Sequence, residues 1–158
     1  MNFRQLIIRA ELVLGRIDLN IAGNNQFVQA KKLYSSYAGL IEAWPPNSTV
    51  WVDPPRDPLR GTPRDLHYWA KLMEFRASGE LRHAIFLKRA PMVVLGLEKP
   101  TQFVGCYPSP TAVTRYNIPS YRAEVQVIYI PGLVDNTTGF LKAFADFGDL
   151  VKPYRSEE

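Results

Sequence analysis

Proline is concentrated in the middle of the chain, with twelve of thirteen prolines between Pro45 and Pro131 and six between Pro45 and Pro63. Proline has no amide hydrogen to donate and disfavours the helical conformation of the residue before it, so regular structure is hard to sustain where it recurs. We therefore expect extended, polyproline-like segments at 45–63 and 108–121 within a single domain that covers residues 1–158. In the first segment, residues 49–52 suit a short strand.

The sequence indicates three helices before residue 80. Apolar residues recur at helical spacing from residue 3 to about 16, although 12–21 also fits an extended segment. A second helix begins at Asn24 or Asn25, whose side chains can accept a first-turn amide, and ends before Pro45. The third runs from Pro63 to about residue 77, with Thr62 as its cap and Gly79 as its terminator.

Beyond residue 80 the apolar pattern changes to a period of two. Short runs rich in strand-forming residues cover 84–88, 92–97, 102–107 and 121–130. The last of these is the clearest strand, because polar Glu124 and Gln126 alternate there with apolar Val125 and Val127.

A final helix is indicated by Phe140, Phe144, Phe147 and Val151, which share one helical face, with Asp135 or Asn136 as its cap. Helices precede the strands, and no strand–helix–strand repeat is evident. The fold class is therefore α+β: N-terminal helices, a proline-rich extended arm, a small antiparallel or mixed sheet and a C-terminal helix.

Composition excludes several classes of protein. The chain is 46% hydrophobic and 22% charged, which is ordinary globular usage and excludes wholesale disorder. A single cysteine excludes an internal disulfide framework and a cysteine-based zinc site, and no metal or cofactor is expected. No apolar run is long enough to span a membrane directly, and an intracellular location is expected.

Charge is distributed unevenly along the chain. The stretch 56–89 has eight basic and four acidic residues, whereas 123–150 has one basic and four acidic residues. A surface with a basic side and an acidic side suits an acidic partner or an assembly contact.

The leading hypothesis is a non-catalytic accessory or structural subunit that packs into a larger protein assembly through proline-rich arms and a basic surface. It predicts that aromatic surface around Trp44, Trp51 and 108–121 is exposed. The candidate partner-binding residues are Trp44, Trp51, Arg56, Arg60, Arg64, Trp69, Arg82, Lys88 and Arg89.

Two alternatives belong to other classes. A small basic nucleic-acid-binding protein, with nuclease or base-modifying activity, would use the same arginines on phosphates and the aromatic side chains on bases. A small-molecule-binding α+β enzyme would hold its ligand in a cup lined by His83, Tyr107, Tyr116 and Tyr129. His67 and Cys106 have no partner motif, so we interpret them as an ordinary histidine and a buried, inert thiol.

One short motif carries a resemblance. The sequence 52–56, Val-Asp-Pro-Pro-Arg, resembles the Asp-Pro-Pro element of some nucleic-acid base methyltransferases, in which it holds a flipped base. Those enzymes also need a glycine-rich strand-to-helix turn for their cofactor, and this sequence has none. We therefore interpret 52–56 as a turn that leads into an extended segment.

Overall fold

The computed structural model describes residues 4–22, 28–34, 38–54, 65–89, 103–108 and 125–151. Four helices and seven strands lie in these ranges. In chain order they are α1 (Arg4–Leu14), β1 (Ile17–Ile21), β2 (Ala30–Tyr34), α2 (Ala38–Ile41), β3 (Ser48–Val52), α3 (Asp65–Ala77), β4 (Leu81–Arg89), β5 (Gly105–Pro108), β6 (Val125–Pro131), α4 (Thr137–Phe144) and β7 (Gly148–Val151). The α+β class and the mixed sheet expected from the sequence are confirmed.

All seven strands form one sheet in the order β2-β1-β3-β4-β6-β5-β7. The first four strands are parallel to one another. From β4 onwards each neighbouring pair is antiparallel. Strands β1 to β4 therefore all end at the same edge of the sheet, called here the carboxyl edge.

Helices cover both faces of the sheet. The first face packs against α1 and α4, and alternate residues of the central strands, such as Trp51, Ile85 and Tyr129, point into this core. The second face packs against α2 and α3, and the intervening residues, such as Val50 and Phe86, point there. Because helices pack on both faces, the central strands carry apolar residues on both sides, with a few buried polar side chains such as Asn20 and Gln126 among them.

The second predicted helix is wrong within the described residues. Ala30–Tyr34 is an edge strand paired in parallel with β1, and only the four residues Ala38–Ile41 are helical. The pattern misleads because residues four apart share a face in a helix and also in a strand, whose side chains alternate every two residues. Both interpretations place Ala30 and Tyr34 on one side.

The predicted last helix is too long. Asn136 stands at the N-cap position, although its side chain makes no capping hydrogen bond, and the helix ends at Phe144 before β7 begins at Gly148. Phe147 is buried in the same core as Phe140 and Phe144, and its ring meets that of Phe144 edge-on. The spacing of these apolar side chains therefore does not distinguish one long helix from a shorter helix that is followed by a turn and a strand, because both arrangements place the side chains in one core.

The other elements agree with the sequence. Helix α1 ends at Leu14, and Gly15 follows in the left-handed region with φ +74°. Helix α3 ends at Ala77, two residues before Gly79 with φ +80°, which is the predicted terminator. Strand β3 occupies the short strand expected inside the first proline-rich segment, while 55–63 and 109–121 lie outside the described residues, as does 92–97.

A buried hydrogen-bond network joins the end of α1 to the sheet and to α4. His83 Nδ1 lies 2.8 Å from the Tyr129 hydroxyl, and His83 Nε2 lies 3.1 Å from the Leu14 carbonyl oxygen. Asn136 donates its backbone N–H to the Tyr129 hydroxyl and its side-chain Nδ2 to the Val13 carbonyl. The Leu14 carbonyl can only accept, so Nε2 of His83 donates to it; burial favours the neutral ring, in which Nδ1 accepts from the Tyr129 hydroxyl.

This network makes stability depend on pH. Burial lowers the pKa of His83 below its ordinary value of 6.5. The unfolded chain therefore binds the proton more readily, and stability falls as pH drops below about 6.5 through the folded-state pKa. We expect urea denaturation to give a lower free energy of unfolding at pH 5.5 than at pH 7.5. His83→Gln should flatten this dependence; an unchanged slope in that variant would contradict the neutral assignment.

Candidate ligand crevice at the carboxyl edge

The strand order reverses between β1 and β3. Strand β2 lies on one side of β1, and Val28, two residues before β2, is buried in the core of the first face. The connection that leaves β3 runs to β4 on the other side through α3, which packs on the second face. Open sheets bind ligands where the connections of two neighbouring parallel strands leave towards opposite faces, so the carboxyl ends of β1 and β3 are the candidate position for a ligand crevice.

The ends of β1 and β3 lie next to each other at this crevice. The backbone N–H of Asp53 donates to the Ile21 carbonyl at 3.0 Å, and that of Ala22 donates to the Tyr34 carbonyl at 2.9 Å. Ala22 has φ +64°, in the left-handed region that residues with a side chain rarely adopt. Asp53 is only 6% exposed, so a carboxylate is buried where the strand ends.

Two of the candidate basic residues end the next strand at the same edge. Val52 pairs with Phe86, so β4 continues for three residues, ending in Lys88 and Arg89, beyond the last residue of β3. Arg56, Arg60 and Arg64 follow Pro54 in the sequence and lie outside the described residues. The topology thus places the end of β4 beside the end of β3, which the linear sequence does not reveal.

The expected exposure of Trp44 and Trp51 is wrong. Trp51 is 1% exposed because it points from β3 into the first core, and Trp44 is 5% exposed in the second. The Trp44 indole donates to the Gly39 carbonyl at 2.9 Å and packs edge-on against Phe75. The chain covers both rings itself, which removes the exposed aromatic surface that the accessory-subunit hypothesis predicted there; the hypothesis itself stays a prediction.

The remaining candidate residues do not form one surface. Arg82 is exposed near the start of β4, about 20 Å along the strand from Lys88 at a rise of about 3.3 Å per residue. Trp69 is half-buried on α3, and its ring meets those of Phe86 and Phe103 edge-on at centroid distances of 5.1 and 6.0 Å. Trp69 therefore belongs to the second face, away from Arg82.

The alternative cup around His83 stays a prediction, because the Tyr107 side chain lies outside what the structure describes. His83 and Tyr129 are buried and bonded to each other, and burial raises the pKa of the Tyr129 hydroxyl to about 12. Such a pair holds the core together. Tyr116 lies outside the described residues. His67 is exposed on α3, and Cys106 is buried with Sγ 3.8 Å from the Phe144 carbonyl.

Gln126 is a residue whose role the sequence did not reveal. It is fully buried on β6, and neither amide atom has a hydrogen-bond partner within the described part of the chain. A buried polar group without a hydrogen-bond partner lowers stability by about 1–3 kcal/mol, so the presence of Gln126 at this position needs an explanation. Its alternation with apolar neighbours predicts a strand with one polar face, but helices cover both faces of this sheet.

Two shallow grooves lie at the opposite edge of the sheet. One, of about 400 Å³, is lined by Asp18, Lys31, Lys32 and 45–48; the other, of about 370 Å³, is lined chiefly by Arg16, Glu11 and Lys31. Asp18 pairs with Lys31 at 3.5 Å and accepts the Thr49 backbone N–H at 2.8 Å. The charges of Asp18 and Lys31 thus compensate each other within the protein.

Comparison with protein-family models, with curated proteins and with solved structures found no match to this chain. None of the helices in the described ranges is long and apolar enough to cross a membrane. Among the same residues, no three His, Cys, Asp or Glu side chains are grouped to hold a metal ion. The fold and the crevice are therefore the basis for any functional conclusion.

Proposed function

We propose that the chain binds a small phosphorylated sugar derivative in the crevice between the carboxyl ends of β1 and β3. The observation that carries this proposal is the reversal of strand order at that point, with Val28 before β2 buried on the first face and α3 before β4 packed on the second. Open sheets with parallel strands bind ligands at such a position, whatever the chemistry of the ligand.

The charges near the crevice favour the class of ligand. Lys88 and Arg89 end the neighbouring strand, and the segment after β3 carries Arg56, Arg60 and Arg64 in its sequence. Arginine and lysine are suited to phosphate. Asp53 is an acceptor for sugar hydroxyls at the end of β3, which is the role that acidic residues have in other sheets of this kind.

Asp53 is the residue with which to test this function. Scanning fluorimetry of the wild type with 10 mM ribose 5-phosphate should raise Tm by a few degrees, because a ligand that binds only the folded state stabilises it. In Asp53→Asn the affinity should fall about tenfold or more, since the change removes the charge and replaces one of the two acceptor oxygens by an NH₂ donor. Glu74→Gln, on the exposed side of α3, is the matched control and should bind normally.

Binding of inorganic phosphate alone distinguishes the contribution of the phosphate group from that of the sugar. Inorganic phosphate should bind weakly and equally to the wild type and to Asp53→Asn, because the carboxylate acts on the sugar. If ribose 5-phosphate does not shift the Tm of the wild type at any concentration tested, the proposal is wrong. The accessory-subunit and nucleic-acid-binding hypotheses stay predictions, to be tested by copurification and by salt-dependent binding to polynucleotides.

A further inference from the structure

Gln126 lies on the same side of the molecule as the proposed crevice. It is the register partner of Lys88, close to the carboxyl end of β4. It is two strands away from the end of β3, which corresponds to about 10 Å at a strand spacing of about 4.8 Å. A ligand held at β1 and β3 by its phosphorylated sugar reaches this position if it carries a further ring.

The Gln126 amide lies against Gly105, and apolar residues share the face of the sheet to which it points. A Cβ atom at Gly105 would lie 2.5 Å from Gln126 Nε2, so the glycine leaves room for the amide in its present position. Ile128, two residues along β6, points into the second core together with Phe86 and Phe103, and Gln126 shares that face. The half-buried ring of Trp69 packs on the same two phenylalanines.

We propose that the ligand is a purine nucleotide and that Gln126 recognises its base; this inference rests on the proposed function. An amide offers one donor and one acceptor side by side, and adenine presents the complementary pair at N6 and N7. A base would form hydrogen bonds with both amide atoms of Gln126, for which no described residue is a partner. The neighbouring aromatic cluster is suited to packing against the planar ring of the base. In the ligand-free protein the amide is fully buried, so the base must displace what lies over it.

Gln126→Met tests the inference because it keeps the length of the side chain and removes both polar atoms. Calorimetric titration with AMP should show binding about 10- to 100-fold weaker than in the wild type, whereas ribose 5-phosphate should bind equally to both. Gln29→Met makes the same chemical change at an exposed position and should leave AMP binding unchanged.

A second measurement needs no ligand. The Tm of ligand-free Gln126→Met should stay unchanged or rise by a few degrees, because a buried amide without partners has been removed. A fall of several degrees would show that the amide is already satisfied inside the protein and would overturn the inference. Equal AMP affinity in wild type and Gln126→Met would also overturn it. Binding of neither AMP nor ribose 5-phosphate to the wild type overturns the proposed function instead.

Discussion

Trp51→Ala is expected to lower the free energy of unfolding by about 3–5 kcal/mol, as measured by urea denaturation at neutral pH. The reason is its position: Trp51 is 1% exposed on the central strand β3 and packs in the core between the sheet and helices α1 and α4. Removing the indole leaves a cavity among close-packed side chains. A loss of this size is a large fraction of the stability of an ordinary domain.

Trp69→Ala is the control for this prediction. Trp69 is half-buried on α3 and packs against the second core, where its ring meets two phenylalanine rings edge-on, so its loss should cost clearly less. Trp51→Phe should fall between the wild type and Trp51→Ala. If Trp51→Ala unfolds at the same urea concentration as the wild type, Trp51 is not a core residue. The prediction that Trp51 binds a partner would then be supported.

Tyr129→Phe is expected to lower the free energy of unfolding by about 2–4 kcal/mol. The Tyr129 hydroxyl donates to His83 Nδ1 and accepts the backbone N–H of Asn136. Its removal leaves two polar groups without their partner, each at a cost of about 1–3 kcal/mol. The measurement is urea denaturation at pH 7.5, where His83 is neutral in both the folded and the unfolded chain.

Tyr34→Phe is the matched control, because it removes a hydroxyl from an equally buried tyrosine that has a weaker bond. The Tyr34 hydroxyl lies 3.4 Å from the Ala43 carbonyl, at the long end of hydrogen-bond distances. We expect a loss under about 1 kcal/mol in that variant. Similar losses in both variants would mean that the hydroxyl of Tyr129 has no special role in joining α1 and α4 to the sheet.

Local signals predicted the elements whose ends are marked by particular residues. Helix α3 was identified from Thr62, Pro63 and Gly79, and β6 from its alternating side chains, since capping and strand alternation act within a few residues. Strand β2 was missed because Ala30 and Tyr34 fit two periodicities at once. What makes it a strand is pairing with β1, a contact that no short window of sequence contains.

The candidate site was less predictable than the fold. The sequence identified Lys88 and Arg89 as candidates, but gave no reason to group them with the end of β3, because parallel pairing of β3 with β4 brings those ends together. Trp44 and Trp51, the aromatic candidates beside them, are predicted to be exposed because proline-rich sequence surrounds them. The sequence does not identify Gln126 as unusual, because burial of both faces of a strand depends on the whole sheet and not on the sequence of that strand.

The most direct test of ligand binding at the carboxyl edge is a titration of ¹⁵N-labelled protein with AMP, followed by NMR. We expect the largest shift changes at the backbone amides of Ala22 and Asp53 and at the side-chain amide of Gln126, with little change at the opposite edge. Changes confined to Lys31, Lys32 and Ser48 would place binding in the grooves of that opposite edge and contradict the proposal, as would a spectrum that AMP leaves unchanged.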